Sequence, residues 1–103
     1  MYATVRIYAD APGLADAVTE HQSEIRALFE EIPGFRHYAI VKTGAATAIS
    51  MTVCDDQAGA EATNEAARDW ITANLSDMKI SPPEVHGGEV PMSIGLGAHA
   101  AKG

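Results

Sequence analysis

The sequence predicts an α+β domain with strands and helices in the order β-α-β-β-α-β. In this split βαβ arrangement, a four-stranded antiparallel sheet carries both helices on one face. Three observations predict it. Period-two alternation runs from Tyr2 to Ala9. Two apolar runs between Pro33 and Cys54 are joined by a turn signal at Gly44-Ala45. A stretch of helical periodicity lies on each side of that hairpin, and both begin at helix-start signals.

The first strand carries Ala3, Val5, Ile7 and Ala9 on one side and Tyr2, Thr4, Arg6 and Tyr8 on the other. Asp10-Ala11-Pro12-Gly13 interrupts it. Proline suits a first helical turn because its missing N–H has no intrahelical partner there, and Asp16 complements the dipole. Leu14, Val18, His21, Ile25, Leu28, Phe29 and Ile32 then mark the apolar stripe of one helix, which ends before Pro33-Gly34. His21 sits inside that stripe. It reads either as a hydrogen-bonded packing histidine or as a proton donor or acceptor in a cavity under the helix.

In the hairpin, a two-residue connection at Gly44-Ala45 pairs Thr43 with Ala46, and a four-residue loop keeps the same register. It places Ile40 opposite Ile49, Tyr38 opposite Met51 and Arg36 opposite Val53. A three-residue loop inverts the faces, because a one-residue slip exchanges them. The first register is adopted because it gathers Ile40, Ile49, Met51 and Val53. Asp55-Asp56 then supplies an N-cap for the second helix. That helix has an alanine stripe ending in Trp70 and Ala73, with Ala67, Ile71 and Leu75 beside it. Trp70 is read as a core anchor or a substrate platform. Ser81-Pro82-Pro83 closes the following linker. Glu84 to Ile94 reads as a broken last strand, with a bulge or bend expected at Gly87-Gly88.

At 103 residues the chain is sized for one domain, assigned to residues 1–94, with residues 95–103 as a flexible tail. Its apolar content of 47% includes much alanine, and it has only two Phe, three Tyr and one Trp. A lone subunit therefore has a thin core, which favours burial against a second copy. A net charge of −7 with scattered Lys and Arg argues against nucleic-acid and anionic-membrane partners. The single Cys54 excludes an internal disulfide, and no signal peptide or spanning run is legible. A cytoplasmic location is expected.

Assembled this way, Ala3, Val5, Ile7, Tyr38, Ile40, Ile49, Met51 and Val53 are expected to meet the helices. Thr4, Arg6, Tyr8, Phe35, His37, Val41, Ser50, Thr52 and Cys54 are left on the other face. That second face suits a two-fold sheet-to-sheet contact, so a homodimer is expected.

The strand pattern, with its Pro33-Gly34-Phe35 opening to the second strand, resembles the dimeric α+β barrel superfamily over about residues 2–94. Small antibiotic-biosynthesis-monooxygenase-like proteins are the nearest branch. The resemblance implies a ferredoxin-like subunit and dimerisation through the sheets into an eight-stranded α+β barrel. It also implies an active cavity between sheet and helices. Members of the superfamily include cofactor-free oxygenases of aromatic polyketides, haem-degrading enzymes and lactone isomerases. Haem degraders typically carry an Asn ending the first strand, a Trp near the end of the third and a His on the second helix. Here Tyr8-Ala9 and Val53-Cys54 stand at the first two places, and the second helix has no histidine. No cofactor is expected.

Histidines 21, 37, 86 and 99 form no closely spaced metal pair, so no metal is expected. Gly87-Gly88 lacks the strand-to-helix context of a phosphate loop, and Ser50 resembles no nucleophile elbow. Cys54 reads as a small buried thiol. Two constellations remain. Tyr38, Met51, Trp70 and His21 are expected to line an apolar pocket for a small aromatic or cyclic ligand. There His21 would be the base and Tyr38 an orienting donor for a substrate whose carbanion reduces oxygen. Arg6, Tyr8 and His37 would alternatively bind an anion inside the dimer barrel. An enzyme of monooxygenase or isomerase type and a non-catalytic binding or stress-response module both use such a cavity.

Overall fold

The computed structural model describes residues 1–95; most of the tail assigned above lies outside them. The strands are β1 (Tyr2–Tyr8), β2 (Phe35–Lys42), β3 (Ala48–Cys54) and β4 (Glu84–Glu89). The helices are α1 (Leu14–Glu20), α2 (Gln22–Glu30) and α3 (Gln57–Asn74), followed by a single 3-10 turn at Ser76–Met78. The sheet order is β2-β3-β1-β4 with every neighbouring pair antiparallel, which is the ferredoxin-like arrangement.

The predicted first helix is two helices. The chain leaves helical geometry at His21 (φ −108°, ψ 31°), whose backbone N–H is shared between the carbonyls of Ala17 and Val18. Ile25 and Phe29 of α2 join Leu14 and Val18 of α1 in the core. Phe29 stacks on Phe35 at 5.7 Å between ring centres and tilts against Tyr38 at 4.8 Å, tying α2 to the edge strand β2. Gly34, at φ 82°, turns the chain from helix to strand in a backbone region that favours glycine.

Helix α3 begins as the sequence implies. The Asp56 side chain accepts from the Gly59 N–H at 2.9 Å. A side chain on Gly59 would meet Cys54 Cβ and the Pro33 carbonyl, each at 3.2 Å, so the glycine lets α3 start close to the sheet. Ala60 and Thr63 are fully buried on the same side, and Trp70 and Leu75 close the core at the far end.

The hairpin register differs from the expected one by a residue. Five residues, Thr43 to Thr47, separate β2 from β3. The N–H groups of Thr43 and Gly44 both donate to the Thr47 carbonyl, and the two threonine hydroxyls bond at 2.7 Å. The Ala45 and Ala46 carbonyls are held by the N–H groups of Gly13 and Ala11, so the loop is pinned to the β1–α1 connection. Lys42 consequently pairs with Ala48, Val41 with Ile49, Ile40 with Ser50, and Tyr38 with Thr52. An irregularity at Arg36 restores the pairing of Phe35 with Cys54.

The faces exchange accordingly. Thr4, Arg6, Tyr8, Ser50 and Thr52 are buried beneath the helices, and Tyr38 and Ile40 pack with them. Cross-strand pairing places Ala3, Val5, Ile7, Ala39, Val41, Ile49, Met51 and Val53 on the face that carries no helix. Aliphatic character alone chose the wrong side of β1. The polar side is the one whose groups satisfy each other internally.

The last strand is also more regular than expected. Gly87 and Gly88 pair in register with Thr4 and Ala3, without a bulge. A Cβ on Gly87 would come within 3.1 Å of the Tyr2 ring, so close packing explains that glycine. Pro91 lies beyond the strand.

Candidate functional site

The site is built on Arg6, which alternation places in the middle of β1 with its side chain under α3. The residue is 2% exposed, and each nitrogen of its guanidinium donates to a neutral acceptor. Nε donates to Ser50 Oγ at 2.9 Å, Nη1 to Asn64 Oδ1 at 2.6 Å, and Nη2 to Thr52 Oγ1. Ser50 and Thr52 stand two residues apart on β3, so both hydroxyls reach the same face and grip one guanidinium.

Asn64 closes the group from α3. Its Oδ1 also accepts from Thr4 Oγ1 at 3.1 Å. Because Arg6 can only donate, the amide oxygen must face the sheet, which leaves the Asn64 NH2 group free to donate elsewhere. Among the described residues, no carboxylate lies within ion-pair distance of Arg6. A buried cation is ordinarily paired, so this one leaves the interior with uncompensated positive charge. Burial lowers the Arg6 pKa, but a guanidinium starts from so high an ordinary value that it stays charged in a protein.

Two tyrosines flank the cation. Burial pushes the Tyr38 hydroxyl up to about 12, with Arg6 pulling it back and Tyr8 adding to the rise. Burial also raises Tyr8, again against the pull of Arg6. Both phenols are therefore neutral donors near pH 7. Cys54, at the end of β3, is fully buried. Burial pushes its thiol up, and Asp56 and Asp55 add to the effect. This suits a packing residue, not a nucleophile.

Three spaces meet around this group. The first, of about 340 Å3, lies between α3, the 80–83 linker and β4. Arg6, Tyr8, Asn64, Glu65 and Arg68 line it together with Ile71, Ile80, Pro82, Pro83 and Val85. Its volume falls within the ~300–1,000 Å3 usual for small-molecule sites. The second is a void of about 20 Å3 among Arg6, Tyr8, Tyr38, Trp70 and core aliphatics. The third is a groove of about 400 Å3 along the β2 edge, between that strand and α1–α2, with Arg26, Phe29, Phe35 and His37 in its wall.

The expected constellations are regrouped by this geometry. Arg6 and Tyr8 do come together, but under the helices and not inside a sheet-to-sheet barrel. Tyr38 joins them through the small void, whereas His37 stays at the edge groove. Met51 is on the opposite face of the sheet from Tyr38 and leaves the pocket, a consequence of the register. His21 is exposed at the α1–α2 break, with Nδ1 2.9 Å from the Ala17 carbonyl and its ring edge-on to Trp70 at 5.3 Å. It borders none of these three spaces, so the expected cavity base is displaced to the surface. Trp70 is a core residue, 7% exposed.

Sequence reasoning missed Asn64, Ser50 and Thr52 as partners of Arg6. One signal was available: Thr4-x-Arg6 and Ser50-x-Thr52 are matching polar alternations on neighbouring strands. Among the described residues, no group of three or more His, Cys, Asp or Glu is placed to hold a metal ion. No helix among them is long and apolar enough to cross a membrane.

No protein-family model matches the chain, and neither does the sequence of any curated protein. Solved structures do match in fold. A protein of unknown function from Nitrosomonas europaea superposes with a TM-score of 0.67 at 21% identity, covering 89% of this chain and 90% of that one. SnoaB, a cofactor-independent oxygenase from Streptomyces nogalater, gives 0.61 at 13% identity over 91% and 96%. The ActVA-Orf6 monooxygenase of Streptomyces coelicolor, solved with nanaomycin D, gives 0.64 at 13% identity over 90% and 89%. The chain thus has the fold of antibiotic-biosynthesis-monooxygenase-like proteins.

Proposed function

We propose that the chain is a cofactor-independent, monooxygenase-like enzyme that takes a small aromatic or cyclic substrate as its anion in the cavity beside Arg6. The observation that carries this reading is the buried guanidinium held by neutral groups alone, with Asn64 donors left over beside a cavity of about 340 Å3. A fixed, buried cation at the wall favours an ionised phenol or enol, and the Asn64 amide can donate to the same oxygen. The apolar wall of Ile71, Ile80, Pro82 and Val85 accepts a flat ring system, and Glu65 is the carboxylate placed to take up the proton. The fold shared with a cofactor-independent oxygenase and with a monooxygenase solved with nanaomycin D supports the reaction class.

The chemistry balances without a resident cofactor. An ionised phenol gives one electron to dioxygen, and recombination of the resulting radical pair forms a C–O bond at a ring carbon. The resulting peroxide takes up a proton. Loss of the ring C–H proton with cleavage of the O–O bond then yields a quinone and one water. Arg6 holds the developing oxyanion, and Tyr8, kept neutral near pH 7 by burial and lining the same cavity, is available as a donor.

Two copies packing through the helix-free face complete the proposal. Val41 is 56% and Ile49 36% exposed there, beside Val5, Ile7 and Met51, an apolar surface that a second sheet would cover. A cytoplasmic location belongs to the same reading.

Oxygen uptake tests the function. With hydroquinone-like and hydroxynaphthalene substrates, wild-type protein should consume dioxygen, and Arg6→Gln should lower kcat/KM by about 100-fold or more. Circular dichroism would confirm that the variant is folded. Binding without oxygen uptake would make the chain a ligand-binding module instead.

A further inference from the structure

The void of about 20 Å3 is set apart from the larger cavity by its size and its wall. On the measure by which a single water needs ~10–15 Å3, it has room for one small molecule. Leu14, Val18, Ile25, Ile40, Ala67 and Ile71 are among its lining and make the wall mainly apolar, which suits a small uncharged occupant. Polar groups enter the wall from Ser50 and Tyr38 and, at one side, from Arg6 and Tyr8, which are shared with the large cavity. Trp70 forms another part of the wall, and its Nε1 is the buried side-chain polar atom left without a hydrogen-bond partner among the described residues. On the far side, Val18, Ile25, Phe29, Tyr38 and Ile40 are shared with the groove along β2. Groove, void and large cavity therefore follow one another under the helices, from one sheet edge toward the other.

We propose that this void is a subsite for dioxygen, reached from the β2 groove and separate from the path of the larger ring-bearing ligand. The inference rests on the oxygenase reading above and deepens it. Neutral dioxygen gains from an apolar space. Once an electron reaches it from the ligand anion it becomes an anion itself, and Arg6 and Trp70, the residue whose N–H is unpartnered, are then in its wall. Those groups interact weakly with the ground state and strongly with the reduced one, which is the selectivity that accelerates a reaction. The electron comes from the ionised ring. Recombination forms the C–O bond of the peroxide, and the later loss of water closes the balance as described.

Ala67 lines the void but not the large cavity, so Ala67→Val fills the one and spares the other. The substitution should raise KM for dioxygen about tenfold while leaving the affinity for a ring-bearing anion, measured anaerobically, unchanged. Crystals of the wild-type protein pressurised with krypton provide a second reading that does not depend on a folded variant, with density expected between Tyr38, Trp70 and Arg6. An ordered water there that gas pressure does not displace would overturn the dioxygen subsite while leaving the anion cavity standing. An unchanged KM for dioxygen in a folded Ala67→Val would do the same. Absence of oxygen uptake with the anion demonstrably bound overturns the oxygenase reading itself, and the subsite with it.

Discussion

Arg6 has three neutral acceptors where a buried guanidinium ordinarily has a carboxylate, and Asn64 is the one supplied from outside the sheet. Replacing Asn64 with Leu removes the acceptor of both Arg6 Nη1 and Thr4 Oγ1. A loss of ~2 kcal/mol is expected in urea unfolding, in the range for hydrogen bonds to charged groups. An unchanged midpoint would mean that solvent takes over the role of Asn64. Tyr38 provides a pH-dependent test. Its folded-state pKa is raised from 10.0 to about 12 by burial, so its neutral form is the one that stabilises the fold. That contribution is complete below pH 10 and is lost as pH rises toward 12. Unfolding midpoints should be flat up to about pH 10 and fall above it, and Tyr38→Phe should flatten the fall, leaving the part due to Tyr8. A variant that falls as steeply as wild type would remove Tyr38 from the buried group.

At the scale of elements, much was legible. The Asp56 cap, the Pro33-Gly34 stop and all four strands follow from local patterns that the folded chain keeps, whereas α3 buries Gly59, Ala60, Thr63 and Trp70 and leaves Ala58 and Ala73 of the expected stripe exposed. The hairpin register was not legible, because what fixes it is non-local: the carbonyls of Ala45 and Ala46 are bound by the β1–α1 connection, and a two-residue turn would withdraw them. The candidate site inherited that error, since one residue of slip exchanged Met51 for Thr52 beside Tyr38. The break at His21 was equally hidden, because Val18, His21 and Ile25 keep helical spacing across it. A cross-strand cysteine pair checks the register. Val41→Cys with Ile49→Cys, directly opposed, should oxidise to a disulfide. Ile40→Cys with Ile49→Cys, the pair a two-residue turn would oppose, should not. Reversed outcomes would restore the two-residue turn.

For the whole molecule, the polar face of the sheet is turned inward against helices, and the aliphatic face carries no helix among the described residues, with Val41 and Ile49 exposed on it. A domain folding alone would ordinarily do the opposite, and this inversion favours a second copy. Sedimentation at micromolar concentration should give a dimer, and Ile49→Lys should give a monomer that still binds ligand. A wild-type monomer would contradict the sheet-to-sheet pairing. The inward-facing polar groups hold Arg6 beside the cavity, so the chemistry of that cavity is the more direct question. It is tested by comparing two probes of nearly equal shape, a hydroxynaphthoquinone ionised at neutral pH and uncharged naphthoquinone, by calorimetric titration. Wild-type protein should bind the anion at least about tenfold more tightly, a difference of ~1.4 kcal/mol, and Arg6→Gln should lose that preference. Equal affinity for the two probes in wild type, or a preference that survives Arg6→Gln, would contradict an anion site at Arg6.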